Sequence, residues 1–115
     1  GEKDSEESVY EVIVRNAIRD VLFGKKYDHD KLSRWIDDLI KKILDRLADF
    51  RIKKYIVLCN IQHKCGAGLN VAVSFQWDAQ NDVCITVRWE NETMLCVVQV
   101  ISMRMLYGSI AEKMD

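Results

Sequence analysis

The stretch Lys64-Cys65-Gly66-Ala67-Gly68-Leu69-Asn70-Val71 decides how this chain divides. A phosphate loop of the dinucleotide type needs a third glycine three residues after the second, and it must open into a helix whose amides face the anion. That position is Val71. The residues beyond it alternate, because Leu69, Val71, Val73, Phe75 and Trp77 are separated by Asn70, Ala72, Ser74 and Gln76. Period two is the signature of a strand, so the glycines serve some geometry other than a phosphate cradle.

Upstream of this stretch the period is helical. Tyr10, Ile13, Val14, Ala17, Ile18, Val21 and Leu22 recur at three and four, which predicts a first helix over residues 8–23 ending at Gly24. A second helix is predicted over residues 30–50, with Leu32, Trp35, Ile36, Leu39, Ile40, Ile43, Leu44 and Leu47 as its stripe and Asp28 or Asp30 as N-cap. On its opposite face Asp37 precedes Lys41, and Asp38 precedes Lys42, in the favourable order for pairing on a solvated surface. His29, between Asp28 and Asp30, reads as a helix-start residue.

Downstream the period is two. Four strands are predicted, over residues 54–63, 68–77, 82–89 and 93–103, with short polar connections at Gln80-Asn81-Asp82 and Glu90-Asn91-Glu92. Helices first and strands afterwards imply an α+β domain, two helices packed on a four-stranded antiparallel sheet. The first and fourth strands are apolar on both faces and are expected at the centre, whereas Asp82 and Arg88 mark the third as an edge. The second strand, Leu69 to Trp77, then becomes an edge without charge or proline to guard it. An unguarded edge of that length points to pairing with a second subunit, a peptide, or both.

Composition narrows the function classes. At 115 residues and 49% hydrophobic the chain fits one domain with a sizeable core. Seventeen basic against 18 acidic side chains give a net charge of −1, so the broad positive field that nucleic-acid backbones require is missing. No apolar run reaches the roughly eighteen residues needed to cross a bilayer, and the acidic start is unlike a signal region, so a soluble, intracellular protein without a membrane partner is expected. Cys59, Cys65, Cys84 and Cys96 lack disulfide or metal-motif spacing and are expected as reduced thiols. Asn91-Glu92-Thr93 matches a glycosylation acceptor, a match read as accidental in a chain without a secretory signal.

A second function class stays open. Cys59, His63 and Cys65 fall on one strand face if alternation persists, which would suit a metal-binding protein or a thiol-imidazole enzyme. No third orienting group and no fourth ligand accompany them, and adjacent strand positions rarely converge on one tetrahedral centre. Trp35, Trp77 and Trp89 read as packing rather than ligand platforms.

Lys54-Tyr55-Ile56-Val57, Gly66-Ala67-Gly68-Leu69, Trp77-Asp78, Val87-Arg88-Trp89-Glu90-Asn91, Thr93-Met94 and Cys96 together resemble a Tctex-type dynein light chain, over roughly residues 9–101. The Arg-Trp-Glu-Asn run is the most specific part. The resemblance implies a strand-swapped homodimer in which the second strand crosses to the partner's sheet, no enzymatic activity, no cofactor and no bound metal. It also implies an accessory role in the dynein motor, in the cytoplasm on microtubules or in a cilium or flagellum, binding the dynein intermediate chain and cargo adaptor peptides as extended segments. On this view Leu69, Asn70, Val71, Ala72, Val73, Ser74, Phe75, Gln76 and Trp77 form the dimer and peptide edge, and Gly66 and Gly68 form the crossover loop. The domain then spans residues 9–103, between an acidic tail (1–8) and a C-terminal extension (104–115). Asn70 departs from a His common in relatives at that place, and the extension runs past the family's usual end.

Overall fold

The computed structural model describes residues 2–48, 53–64 and 83–104. Two helices and a 3₁₀ turn precede three strands: α1 (Glu2–Leu22), the turn His29–Lys31, α2 (Leu32–Leu47), β1 (Lys53–His63), β2 (Val83–Glu90) and β3 (Met94–Arg104). The α+β order expected from the change of period is therefore present. The strand expected over residues 68–77, and with it the fourth member of the sheet and the swapped dimer, lies outside the described residues.

The helices form where the apolar spacing puts them. Along α1, Tyr10, Val14, Ala17, Ile18, Val21 and Leu22 are buried, and along α2, Trp35, Leu39, Ile43 and Leu47 repeat every four residues on the core side. Burying each such large side chain contributes about 1.5–3 kcal/mol. α1 begins at Glu2, well ahead of its apolar stripe. It stops at Gly24, whose φ of +72° is the left-handed conformation that closes a helix, with Lys25 N donating to Leu22 O at 3.1 Å. Of the two candidate caps Asp28 acts: its backbone is extended and its Oδ1 accepts from Asp30 N at 3.0 Å, so the chain enters through the 3₁₀ turn before α2 starts. Asp37 and Lys41, and Asp38 and Lys42, form no ion pairs among the described residues; α2 is tied instead to α1, Arg46 Nη2 to Asp20 Oδ2 at 2.7 Å.

The described strands form one antiparallel sheet in the order β1-β3-β2. The register runs from Lys53 opposite Arg104 to His63 opposite Met94, and from Val83 opposite Ser102 to Glu90 opposite Leu95. α1 lies against β2 and α2 against β1, so both helices cover one face. Among the described strands β3 is central, as its pattern implies, and β1 and β2 flank it. The central place expected for the first strand and the edge place expected for the third both depend on the strand expected over residues 68–77, which lies outside the described residues. On the face of β1 away from the helices, Ile56 stands opposite Ile101 and is half-buried, while Leu58 is 42% exposed.

Candidate functional site

The turn between β2 and β3 organises one end of the molecule. Asn91 Oδ1 accepts from Thr93 N at 2.9 Å and from Met94 N at 3.0 Å, closing the turn, while its Nδ2 donates to Lys25 O at 2.9 Å. Thr93 Oγ1 accepts from Tyr27 N at 2.8 Å. The α1–α2 connector is thus fastened to the hairpin at two points. Tyr27 also stacks on His63, ring centres 4.4 Å apart and 15° from parallel, so β1 joins the same assembly. Lys64 Nζ meets Glu90 Oε2 at 2.9 Å, and that contact holds the Glu90 carboxyl below the usual carboxylate range. The role of Asn91 escaped sequence reasoning, where it counted as a turn residue and an accidental acceptor. Its place one residue after a strand and two before Thr93 was the available signal, because Asn in a turn can cap the backbone two residues on.

The sheet offers two edges. On β2 the exposed side chains are Thr86, Arg88 and Glu90, and Arg15 of α1 reaches the Arg88 carbonyl oxygen at 3.5 Å. The β3 side chains facing away from the helices are Leu95, Val97, Gln99 and Ile101, all buried, and Gln99 Nε2 donates to Thr86 Oγ1 at 3.3 Å. A shallow cavity of about 170 Å³ lies between Leu58, Asn60, Val97 and Gln99.

Among the described residues the candidate metal or thiol centre is represented by Cys59 and His63 alone. Cys59 and His63 share the helix-facing side of β1, opposite Val98 and Met94 respectively. Four residues of strand separate them by roughly 13 Å. Each has another neighbour: His63 stacks on Tyr27, and the free Cys59 thiol lies against that of Cys96 on β3. The Cys59 contact, together with burial, pushes the Cys96 thiol up. Cys65 lies outside the described residues, and among those described no three ligating groups come together. Trp35 is core, Trp89 is half-buried on the helix side, and Trp77 lies outside. Gly66 and Gly68, with the whole candidate edge from Leu69 to Trp77, also lie outside. No helix among the described residues is long and apolar enough to cross a membrane.

Two helices on one face of an antiparallel sheet define a small α+β domain. Residues 4–103 match the Tctex-1 family, and the chain belongs to it. It is 38% identical over 91 residues to a Drosophila melanogaster protein named dynein light chain Tctex-type, covering 78% of this chain and 82% of that one. It is 36% identical over 91 residues to human dynein light chain Tctex-type 3, covering 78% of each. A Dictyostelium discoideum dynein light chain Tctex-type is 36% identical over 90 residues, 76% of this chain and 81% of that one.

Proposed function

We propose that the chain is a non-catalytic accessory light chain of the dynein motor, working on microtubules in the cytoplasm. It pairs with a second copy of itself and binds extended segments of the dynein intermediate chain, and of cargo adaptors, by strand addition. The observation that carries this is membership of the Tctex-1 family, whose similar members are named dynein light chains. The sheet supports it, because β2 pairs with β3 alone among the described strands and its other edge can accept a strand. Residues 69–77 supply the strand that each subunit contributes, and Gly66 and Gly68 let the chain turn toward the neighbour.

Successive residues of a strand direct their backbone hydrogen bonds to opposite edges, so position parity separates the two interfaces. Proline at Ala72 or at Val73 removes one donor from one edge each. One variant should lose mainly dimer stability, read by light scattering, and the other mainly affinity for an intermediate-chain peptide, read by calorimetric titration. Two variants that stay dimeric and bind the peptide like the parent would sink the assignment of residues 69–77.

A further inference from the structure

Two clefts of opposite character adjoin where α1 gives way to the connector. Gly24 turns the chain at the end of α1, Phe23 N still donates to Arg19 O at 3.0 Å, and the Phe23 ring is left 77% exposed. Phe23 lines a cleft of about 470 Å³ with Trp89, Asn91 and Thr93, and Lys25, Lys26 and the Glu92 carboxylate stand at it too. Behind Lys25 and Lys26 lies a second cleft of about 450 Å³, whose floor includes Tyr27 and the buried Trp35. Four cations surround it, Lys25, Lys26, Lys31 and Arg34, against the carboxylates of Asp28 and Asp38. That is a positive pocket in a chain of net charge −1.

Three of the cations are available. Lys25 Nζ sits 5.8 Å from the centre of the Trp35 ring, and Lys26 and Arg34 make no ion pair among the described residues. Asp28 is occupied: one oxygen caps Asp30 N and the other lies 3.9 Å from Lys31 Nζ. The wall between the clefts is held by the Asn91 and Thr93 bonds to the connector, so both are shaped before any ligand arrives. A preformed site spares a ligand part of the ordering cost.

We propose that these paired clefts bind an acidic peptide segment of a partner protein, one that sets a bulky apolar side chain beside two or more carboxylates. The apolar side chain covers Phe23 and Trp89, and the carboxylates meet Lys26 and Arg34. A small anion would use the basic half alone and leave Phe23 in water. A membrane surface fits poorly, because the basic groups ring a recess floored by Trp35 and share it with two carboxylates. None of the residues that line the clefts belongs to the 69–77 segment, so variants here test this proposal independently of the strand-addition function.

The test is a titration of the full chain with an end-blocked synthetic peptide of aspartates flanking a Phe-Leu pair, followed by tryptophan fluorescence and calorimetry. Binding should weaken with added salt. Lys26→Glu and Arg34→Glu should each weaken it by about tenfold or more, and Phe23→Ala by several-fold. All three positions are exposed, and far-UV circular dichroism with light scattering confirms that each variant stays folded with the parent's subunit number. Parent-like binding by all three folded variants overturns the proposal, as does no binding by the parent at millimolar peptide. Inorganic phosphate displacing the peptide completely at equal concentration reduces the site to a small-anion pocket and overturns it. So does preferential binding to phosphatidylserine vesicles with the same dependence on Phe23 and Lys26. An intermediate-chain peptide that competes for the clefts would merge them with the strand-addition site and overturn their independence.

Discussion

On the helix-facing side of β3, Met94, Cys96, Val98 and Val100 are buried, and so are Ile61 on β1 and Val83, Ile85 and Val87 on β2. On the opposite side Leu95, Val97, Gln99 and Ile101 are buried just as fully, yet their lateral neighbours are not: Leu58 is 42% exposed, and Asn60, Thr86 and Arg88 face water. The first side is covered across its width by α1 and α2. The second is buried along its central strand and open on its flanks at Leu58, Asn60, Thr86 and Arg88. Burial on both sides of β3 fits a strand whose two faces are both apolar.

The sharpest way to break this contrast is to hollow out the covered side. Leu39 is fully buried under α2, and Leu39→Ala should cost about 2–5 kcal/mol in denaturant unfolding, the range for a large side chain removed from a core that cannot collapse around the gap. A loss below about 1 kcal/mol would mean that the helix layer is loosely seated.

The opposite side should yield less. Ile101→Val removes one methylene from a fully buried site and should cost about 0.5–1.5 kcal/mol. If a second subunit lies over that face, the apparent loss grows on dilution, because association stabilises the folded form by mass action. Equal losses at all protein concentrations would place the dimer contact elsewhere.

These two sides also show what the sequence could reveal. The stripe from Trp35 to Leu47 is legible because a helix that buries one face must repeat at three and four, a period that a strand cannot imitate. β3 is legible because apolar residues on both faces of a strand mean burial on both. For β1 the same rule predicts a central place, which depends on residues outside those described. Within the described sheet Ile56 is half-buried opposite Ile101, and Leu58 is 42% exposed. At the candidate site, the Arg-Trp-Glu-Asn run could be recognised but not understood. Its Asn91 acts on Lys25, 66 residues away, and no local pattern encodes a contact of that range.

Smaller effects refine the comparison. Gln99 is the buried amide on the far face, and its partner Thr86 is exposed. Gln99→Leu should change stability by no more than about 1 kcal/mol, since the Thr86 hydroxyl can bond water once the amide is gone. A larger loss would show that Thr86 is covered in the assembled protein. At the end of the sheet away from the clefts, the Tyr55 hydroxyl lies 3.4 Å from that of Tyr10, the rings meeting edge to face at 85°. Burial, then the Tyr10 contact, pushes the Tyr55 phenol up from its ordinary value near 10.0. The unfolded chain then releases this proton first, so the contribution is complete below the ordinary value and declines as pH rises above it. Tyr55→Phe should flatten the alkaline limb of the stability profile and change the neutral plateau little.

The smallest effect belongs to the ion pair that ties the helices together. Asp20 is exposed, and its bond to Arg46 at 2.7 Å is the first cause holding its carboxyl below the ordinary 3.8. A lowered folded value means that the unfolded chain takes up the proton first on acidification. The stabilisation is therefore complete above the unfolded value and is lost as pH falls through the folded one. Arg46→Ala should return the Asp20 carboxyl toward its ordinary value, read as a shift in its carbon resonance between about pH 7 and pH 2, with thermal stability at neutral pH nearly unchanged. Added salt should produce the same shift in the parent, weakly, because the pair is open to solvent. If Asp20 titrates identically with and without Arg46, the contact between α1 and α2 is apolar alone, and the covered face owes its cover entirely to the stripe that the sequence displays.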